Sequence, residues 1–235
     1  MTATINSLAQ AINETPWWTP PEMWTGKTCY IIGGGPSLEG FDFTPLHGQH
    51  VIGCNDAYSL GPWVDVCLFG DWGWWVIHGV DRVVHDGKKR DHDGLLRFPG
   101  LIVSNTPPKN MPKIIHTCPR VLPMRRQAEG IPMRRDVLTW YDNCGAAAIH
   151  LALLFGATRV VLLGFDMKRG NGRQNWHRAI KPEAPPSRND HHVMKHARLE
   201  RAVAASRYKD VKILNANPDS ACDAWPKVNW EEVRP

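Results

Sequence analysis

Three glycines, a proline and a serine directly follow a short apolar segment near the start of the chain. Cys29 to Ile32 has the length and the β-branched and aromatic content of a buried strand, and Gly33, Gly34, Gly35, Pro36 and Ser37 come next. Glycines let the backbone approach a ligand closely, while Pro36 suits the first turn of a helix and Ser37 offers a hydroxyl group beside that turn. The pattern predicts a small anion cradle at a nucleotide site, although a glycine-rich turn without a ligand explains the same residues.

Polar residues also follow the later strand-like segments. The segments at 50–54, 64–69, 101–103 and 159–163 are short and apolar, as buried strands are. In a parallel sheet their carboxyl ends lie along one edge, where side chains can contact the hydroxyl groups or base edges of a ligand. The residues at these ends are Asn55, Asp56, Asp71, Asn105, Gly164 and Asp166. Asp71 and Asp166 could orient a sugar or bind Mg²⁺ through water, and Asp166 could equally cap a turn.

Two adjacent histidines begin a later predicted helix. His192 lies two residues after Asp190, and an ordinary histidine pKa near 6.5 suits removal of a proton from an acceptor hydroxyl. His191 is the neighbouring candidate, and a helix-start histidine without a catalytic role is the structural alternative. With His177 and His196 these residues form a group rich in metal ligands. The spacing HHxxxH lacks the glutamate of HExxH, so we predict no transition-metal site.

The elements that must position these residues alternate between strands and helices. Helices are predicted at 72–84, at 146–155 after Asn143, Cys144 and Gly145, and at 190–205, and a last strand is predicted at 211–214. Helices followed by strands through short connections indicate a parallel sheet. The sequence therefore predicts an α/β fold, with a single Rossmann-like domain at 27–235 and an N-terminal arm at 1–26. Its mostly parallel sheet should carry helices on both faces.

Two long segments show no helical or strand periodicity. Residues 106–136 are rich in proline and arginine and are predicted to form a long functional loop, and residues 167–190, which include Lys168, a lid. Arginine and tryptophan residues have two explanations each. Arginines could clamp phosphates or simply carry surface charge, and tryptophans could stack on a base or pack in the core; these are Arg125, Arg126, Arg134 and Arg135, and Trp72, Trp74 and Trp75.

Bulk properties restrict the class of protein. The 235 residues, 43% of them hydrophobic, are enough to bury one core, and the net charge of +5 permits an anionic partner such as a nucleotide or DNA. The six cysteines include no CxxC pair, which predicts reduced and buried thiols. We expect no secretory segment, membrane span or membrane partner, since no apolar run has the required length. These features predict a soluble, cytoplasmic protein.

The order of the motifs resembles a known family. GGGPSL, CND, FGD, VSN, NCGAAAIHLAL, VVLLGFD, a helix begun by two histidines, and NPDS follow one another between residues 27 and 226. This order resembles the small bacterial sialyltransferases, which have a variant Rossmann-like fold, and the related group that includes 6-hydroxymethylpterin diphosphokinases. The GGGPSL and GFDM patterns are similar to bacteriophage-encoded members of the group, for which nucleic-acid modification is a plausible setting.

The resemblance assigns roles to the matching positions. It implies that a nucleotide is held by the residues from Gly33 to Ser37, Asn55, Asp71, Asn105, and Asn143-Cys144-Gly145. It implies that His192 is the catalytic base, with His191 as its near rival. Asp71 stands where the family has an asparagine, and the tyrosines that hold the leaving phosphate in the family are replaced in this neighbourhood by Lys168 and by Trp176 or His177. The identities of the nucleotide and the sugar therefore stay open.

Three functions follow from these residues and the resemblance. The first is a glycosyltransferase that passes a sugar from a nucleotide sugar to an acceptor hydroxyl, without a required cofactor. Its acceptor is unknown, with DNA as one candidate, and its location would be the host cytoplasm if a phage encodes it. The second is a Mg²⁺-dependent pyrophosphate transferase of the pterin diphosphokinase type, in which Asp71 or Asp166 helps to hold the ion. The third is a nucleotide-binding module without turnover. The oligomeric state is open under all three.

Overall fold

The computed structural model describes residue 10 and residues 12–78, 84–85, 88–89, 92–169, 175–177 and 189–235. The strands of this part of the chain are β1 (Thr28–Ile32), β2 (His50–Cys54), β3 (Val66–Phe69), β4 (Val84–His85), β5 (Lys88–Lys89), β6 (Leu101–Ser104), β7 (Val121–Pro123), β8 (Arg125–Gln127), β9 (Val137–Thr139), β10 (Arg159–Leu163) and β11 (Lys212–Asn215). Its α-helices are α1 (Trp72–His78), α2 (His92–Arg97), α3 (Met111–Thr117), α4 (Cys144–Leu154) and α5 (Asp190–Ala204).

Seven strands form one sheet in the order β11-β10-β1-β2-β3-β6-β7, and every neighbouring pair is parallel. Beyond their first residues the inner strands are apolar and buried; in β10, for example, only the first residue, Arg159, is not buried. Strands of this kind occur where helices cover both faces of a parallel sheet. The predicted α/β fold with a mostly parallel sheet is confirmed.

The core is divided between the two faces of the sheet. Alternate residues of β1 point in opposite directions, so that Ile31 packs in one cluster with α4 and Ile32 packs in the other with Trp75 of α1. Every residue of α4 is buried, because the helix lies against β1, β2, β3 and β9. Its first five residues, Cys-Gly-Ala-Ala-Ala, are small, and all of them are buried.

The strand order reverses at β1. From β1 the chain proceeds through β2, β3, β6 and β7 towards one edge, and it then returns to β10 on the other side of β1. In open α/β sheets the crevice at such a switch point, outside the carboxyl ends of the strands, is where ligands bind. Here the loops after β1 and β10 meet at that crevice.

Residues 106–136 do not form the long loop that the sequence predicts. They contain α3, β7 and β8, and β7 adds the last strand to the sheet. The two strands have three residues each, too few for an alternating pattern to show. Pro112 lies in the first turn of α3, where it is compatible with a helix, and Pro123 ends an edge strand.

Two predicted helices also differ from the structure. The segment after the glycines forms only a 3₁₀ turn at Pro36–Leu38, and α1 ends at His78, with residues 79–83 outside the described part. Most of the predicted lid at 167–190 is likewise outside it, except 167–169, 175–177 and 189–190. In the predicted arm, Trp24 is buried and its ring lies 4.5 Å from that of Phe155. None of the described helices is both long and apolar enough to cross a membrane.

Candidate active site

A cavity of about 660 Å³ lies outside the carboxyl ends of the strands, a volume in the usual range for small-molecule sites. Twelve of the residues predicted for the site border it: Gly33, Gly34, Gly35, Asn55, Asp56, Asp71, Asn143, Cys144, Gly145, Gly164, Lys168 and His192. The other predicted residues, Pro36, Ser37, Asn105, Asp166 and His191, are not among the residues that border it. The structure thus brings together residues that are up to 159 positions apart in the sequence, from Gly33 to His192.

The glycine loop at 33–35 makes close contacts with the protein itself. The backbone N–H of Gly35 donates to the carbonyl of Gly164 at 2.8 Å, and the carbonyls of Gly33 and Gly34 accept hydrogen bonds from the indole and backbone N–H groups of Trp176, both at 3.0 Å. A Cβ at Gly35 would lie 2.5 Å from the Gly164 oxygen. The contact between two backbones is therefore a sufficient reason for glycine at position 35.

The carboxylate of Asp166 binds at the predicted anion cradle. Its carboxylate accepts hydrogen bonds from the backbone N–H and the hydroxyl of Ser37, at 2.7 and 2.6 Å, and from the side-chain amide of Asn217 at 2.8 Å. The side chain is buried. Asp166 thereby joins the loop after β1 to the loops after β10 and β11, and both donors of Ser37 are engaged with it rather than turned towards the cavity.

The predicted arginine clamp is engaged with protein acceptors. Arg125 and Arg134 pair with Asp136, and Arg135 binds Glu22 and the carbonyls of Pro20 and Leu154. Arg126 donates to the carbonyls of Gly70 and Asn105, and its guanidinium lies 4.0 Å above the ring of Trp140. Arg126 thus supports the loops after β3 and β6, and the other three arginines bind acceptors elsewhere in the protein. Asn105 itself is fully buried.

Asp56 lies between two histidines. Its carboxylate accepts a hydrogen bond from the indole N–H of Trp74 at 2.6 Å, and its oxygens are 3.2 Å from Nε2 of His78 and 3.3 Å from Nε2 of His177. These contacts bring the 175–177 segment against the end of β2. Among the three tryptophans proposed to stack on a base, Trp74 borders the cavity, whereas Trp75 is fully buried in the core.

Backbone strain is concentrated at the cavity. Among the described non-glycine residues, those with positive φ are Asn55, Tyr141, Asp142 and Met167, with φ between 50° and 54°. Asn55, Asp142 and Met167 border the cavity. A left-handed conformation costs a residue other than glycine roughly 1 kcal/mol or more and persists where the surroundings impose it, which is common at functional sites. Asn is the residue among these that tolerates the conformation best.

Asn143 connects the two helices of the site. Its side-chain oxygen accepts the N–H of Ala146 at 3.1 Å and so caps α4, while its side-chain nitrogen lies 3.1 Å from Nδ1 of His192. Cys144 and Gly145, the first residues of α4, border the cavity. The positive end of the helix dipole therefore faces it, which favours a bound anion. The thiol of Cys144 donates to Asn55 Oδ1 at 3.3 Å, and burial raises its pKa well above the ordinary value, so it stays protonated.

His192 is half-buried in the first turn of α5. Burial lowers its pKa below the ordinary 6.5, and His191 and Lys195 act in the same direction, whereas Asp142 opposes them. The ring is therefore neutral at neutral pH. The amide nitrogen of Asn143, which can only donate, points at Nδ1 of His192. Nδ1 is therefore the acceptor, and the ring hydrogen is on Nε2. A base that acts through Nε2 needs the opposite tautomer. His191 is exposed.

The charged residues that border the cavity are of both signs. The acidic ones are Asp56, Asp71, Asp142 and Asp190, and the basic ones are Lys168 and Arg169. Asp71 is exposed towards the cavity, yet the surrounding protein raises the pKa of its carboxyl by desolvation; the negative charge of Asp142 adds to this effect and Arg126 opposes it. Across the described part of the chain, no group of three or more histidine, cysteine, aspartate or glutamate residues is arranged to hold a metal ion.

Some residues at the cavity were not identified from the sequence. They are Cys54, Asp142, Phe165, Met167, Arg169, Asn175 and Asn189. Asn189 could have been found, because an asparagine before a predicted helix is a common N-cap, and its side chain indeed accepts the N–H of His192 at 3.2 Å. Asn175 carries no such signal. Its neighbour Trp176 contacts the glycine loop, and this contact holds Asn175 at the cavity.

A comparison with solved structures shows that this chain shares its fold with a known protein. No protein-family profile matches the sequence, and no curated protein matches it. A solved structure of the MAf glycosyltransferase from Magnetospirillum magneticum AMB-1 is similar over 92% of this chain, with a TM-score of 0.58 and 14% identity. This chain spans 35% of the length of that one. The sialyltransferase CstII from Campylobacter jejuni, solved with cytidine-5′-monophosphate, gives a TM-score of 0.49 and 14% identity over 87% of this chain and 85% of its own. The similarity to the first of these two structures shows that the chain has a Rossmann-like α/β fold, as that glycosyltransferase structure does.

Proposed function

We propose that the chain is a glycosyltransferase, which holds a nucleotide sugar in the 660 Å³ cavity and transfers the sugar to an acceptor hydroxyl. The observation that carries this proposal is the position of the cavity at the switch point of the sheet, in a fold that the chain shares with a glycosyltransferase structure. Fold alone does not define an activity, so the assignment depends on the groups that border the cavity.

The donor would be held at its phosphate by the first turn of α4 and by two cations. Cys144 and Gly145 begin α4, whose dipole favours negative charge, and Lys168 and Arg169 border the same cavity. Asn55 and Asp56, at the end of β2, border the same cavity and would contact hydroxyl groups of the ligand. The cations balance the phosphate charge, which the four aspartates would otherwise repel.

The reaction would be a direct displacement. The acceptor oxygen forms a bond to the anomeric carbon of the sugar, the bond from that carbon to the phosphate oxygen breaks, and the electron pair leaves with the nucleotide phosphate. The acceptor proton must pass to a base. We assign it to the carboxylate of Asp71, which faces the cavity and whose raised pKa brings it closer to the range of an effective general base.

A Mg²⁺-dependent pyrophosphate transfer from ATP is the second candidate. Four aspartates border the cavity, and hard cations prefer carboxylate ligands. In this reaction one carboxylate would bind the ion through water rather than remove a proton. ATP with Mg²⁺ should then raise the melting temperature more than any nucleotide sugar or its nucleotide product does.

The test measures donor consumption and donor binding together. Purified protein is incubated with CMP-, UDP- and GDP-sugars, and release of the free nucleotide is followed with and without Mg²⁺ and acceptors. Asp71→Asn should lower kcat by roughly 10²- to 10⁴-fold and change donor affinity little, since only proton transfer is lost. Asp219→Asn, an exposed position outside the cavity, is the matched control.

The results separate the candidate functions. Unchanged turnover in Asp71→Asn would remove Asp71 from the reaction, and absence of binding and turnover with every nucleotide sugar would overturn the proposed function. For the acceptor, a small glycan and DNA are compared by mass spectrometry after incubation with the donor. The net charge of +5 is the observation that supports DNA, and a mass increase on the glycan alone would exclude it.

A further inference from the structure

The orientation of the Asn143 side chain is set by α4. Its oxygen must face the helix, because it accepts the N–H of Ala146 at 3.1 Å, and its NH₂ group then faces Nδ1 of His192 at 3.1 Å. An amide nitrogen is only a donor, so Nδ1 must be an acceptor. The cap of one helix thereby selects the tautomer of a histidine on another.

We propose that His192 takes part in the transfer as a neutral imidazole that donates a hydrogen bond from Nε2 to the departing phosphate, and that Asn143 is the positioning residue that fixes this tautomer. The proposal rests on the proposed function for the identity of the phosphate. It assigns His192 a role different from the general base that sequence resemblance implies. The acceptor proton is then transferred to Asp71.

The surroundings of the ring favour this form. If Nε2 were deprotonated, the ring hydrogen would be on Nδ1 and would point at the NH₂ group of Asn143, so that two donors would face each other. The imidazolium also has a hydrogen on Nδ1 and the same conflict. Asp142 is the charged group that favours protonation of the ring, while Lys195 and His191 disfavour it. Asn189 accepts the backbone N–H of His192 and so holds the first turn of α5 in place.

The chemical benefit follows from where charge develops. As the bond between the anomeric carbon and the phosphate oxygen breaks, negative charge grows on the phosphate. A fixed donor aimed at that charge stabilises the transition state more than the ground state, without transferring its proton. The first turn of α4 and Lys168 border the same cavity and act on the same charge.

Two substitutions of His192 distinguish a donor from a base. The amide NH₂ of glutamine can reproduce a donor at the position of Nε2, but glutamine cannot accept a proton. We expect His192→Gln to keep kcat within about 10-fold of the wild-type value, whereas His192→Ala should lose about 10²- to 10³-fold, the usual effect of removing one such donor. Equal and large losses in both folded variants would overturn the donor role.

The tautomer can be measured directly by NMR of protein labelled with ¹⁵N in its histidines. The wild-type spectrum should show the hydrogen of His192 on Nε2. Asn143→Asp keeps a side chain that caps α4 but offers Nδ1 an acceptor, so the hydrogen should move to Nδ1 and kcat should fall by about 10²-fold. Asn143→Ser keeps the cap without the contact and serves as the control for the added charge.

The two proposals fail in different ways. A wild-type protein with its hydrogen on Nδ1, or a tautomer that is unchanged in Asn143→Asp, overturns the inference even if the chain transfers sugars. A protein that shows the expected tautomer but neither binds nor consumes any nucleotide sugar overturns the proposed function and, with it, the phosphate contact. In that case Asn143 would still fix the tautomer of His192, but this would have no role in sugar transfer.

Discussion

The glycine loop and the start of α4 both border the cavity, but they differ in what their polar groups contact. In the glycine loop, two carbonyls accept hydrogen bonds from Trp176, and the neighbouring Ser37 donates twice to Asp166. At the start of α4, the polar side chain of Asn143 caps the helix and contacts His192, and the first turn faces the cavity. The polar groups of the more conspicuous motif are thus largely engaged within the protein, whereas the less conspicuous one turns the first turn of a helix towards the cavity.

The two regions are also stabilised by different chemistry. A carboxylate, that of Asp166, holds the glycine loop. Neutral imidazoles hold the region of α4 and α5: Nδ1 of His150 accepts the N–H of Thr139 at 3.1 Å, and Nδ1 of His196 accepts the indole N–H of Trp225 at 3.2 Å. Both rings are fully buried. A protonated Nδ1 can no longer accept these hydrogen bonds. Acid should therefore destabilise the region of α4 and α5 in a way that does not apply to the glycine loop.

The largest expected effect is a loss of stability in mild acid. Burial lowers the pKa of His150 and of His196 from 6.5 to about 3. Above pH 6.5 both rings are neutral in the folded and the unfolded chain, so they add no pH dependence. Below it the unfolded chain binds protons that the folded chain does not, and stability falls until about pH 3. The two rings together should cost roughly 4 kcal/mol at pH 5 relative to pH 7.

Urea unfolding at a series of pH values measures this loss. His196→Gln removes one of the titrating groups, so its stability should fall less steeply between pH 7 and pH 5 than that of the wild-type protein. His116→Gln, at an exposed position of α3, is the control. A slope for His196→Gln equal to that of the wild-type protein would show that this ring does not resist protonation in the folded state.

A glycine substitution tests the packing explanation of the loop. In Gly35→Ala the new Cβ would lie 2.5 Å from the Gly164 oxygen and 2.6 Å from Cγ of Asp166, and neither atom belongs to a flexible chain end. We expect a loss of about 3 kcal/mol in the free energy of unfolding, at the upper end of the effect of overpacking. The measurement is the urea midpoint of the ligand-free protein.

Gly73→Ala is the control for the alanine itself. Nothing lies within 4 Å of a Cβ at Gly73, which is in α1, so this change should be neutral or stabilise the protein by up to about 1 kcal/mol. If Gly35→Ala had an unchanged midpoint and only lost nucleotide binding, the loop would be a ligand site first and a packing contact second, and the comparison between the two regions would be wrong.

The fold could be predicted from the sequence largely because its strands are short, apolar and followed by polar residues. β2 and β10 occur where the pattern places them, and α4 differs from the prediction only at its ends. From the sequence alone, an anion cradle and a packed turn explain the glycine loop equally well. The partners of its polar groups, Asp166 and Trp176, are more than 120 positions away. Sequence spacing carries no information on such contacts.

Residue type and spacing indicated which residues border the cavity, but the contacts that each of them makes there depend on geometry. Asparagine before a helix predicts a cap, and Asn143 is one. The tautomer of His192 depends on whether the oxygen or the nitrogen of that amide faces the ring. The hydrogen bond from Ala146 N to the amide oxygen decides this, and the sequence does not show it. The positive φ angles of Asp142 and Met167 have no sequence signal either, because neither residue type is selected for that conformation as strongly as glycine.

The smallest expected effect belongs to Ser37, and it tests the same comparison most directly. Ser37→Ala removes the hydroxyl donor to Asp166, while the backbone N–H of residue 37 and the amide of Asn217 still hold the carboxylate at 2.7 and 2.8 Å. We expect a loss of about 1.5 kcal/mol in unfolding free energy, the value of one hydrogen bond to a charged group, because the acceptor keeps its other donors. Donor affinity, measured by calorimetry, should not change, since Ser37 is not among the residues that border the cavity. A cradle in which the hydroxyl binds the ligand phosphate predicts the reverse, a weaker donor affinity with an unchanged urea midpoint, and that result would return the glycine loop to the role that its sequence suggests.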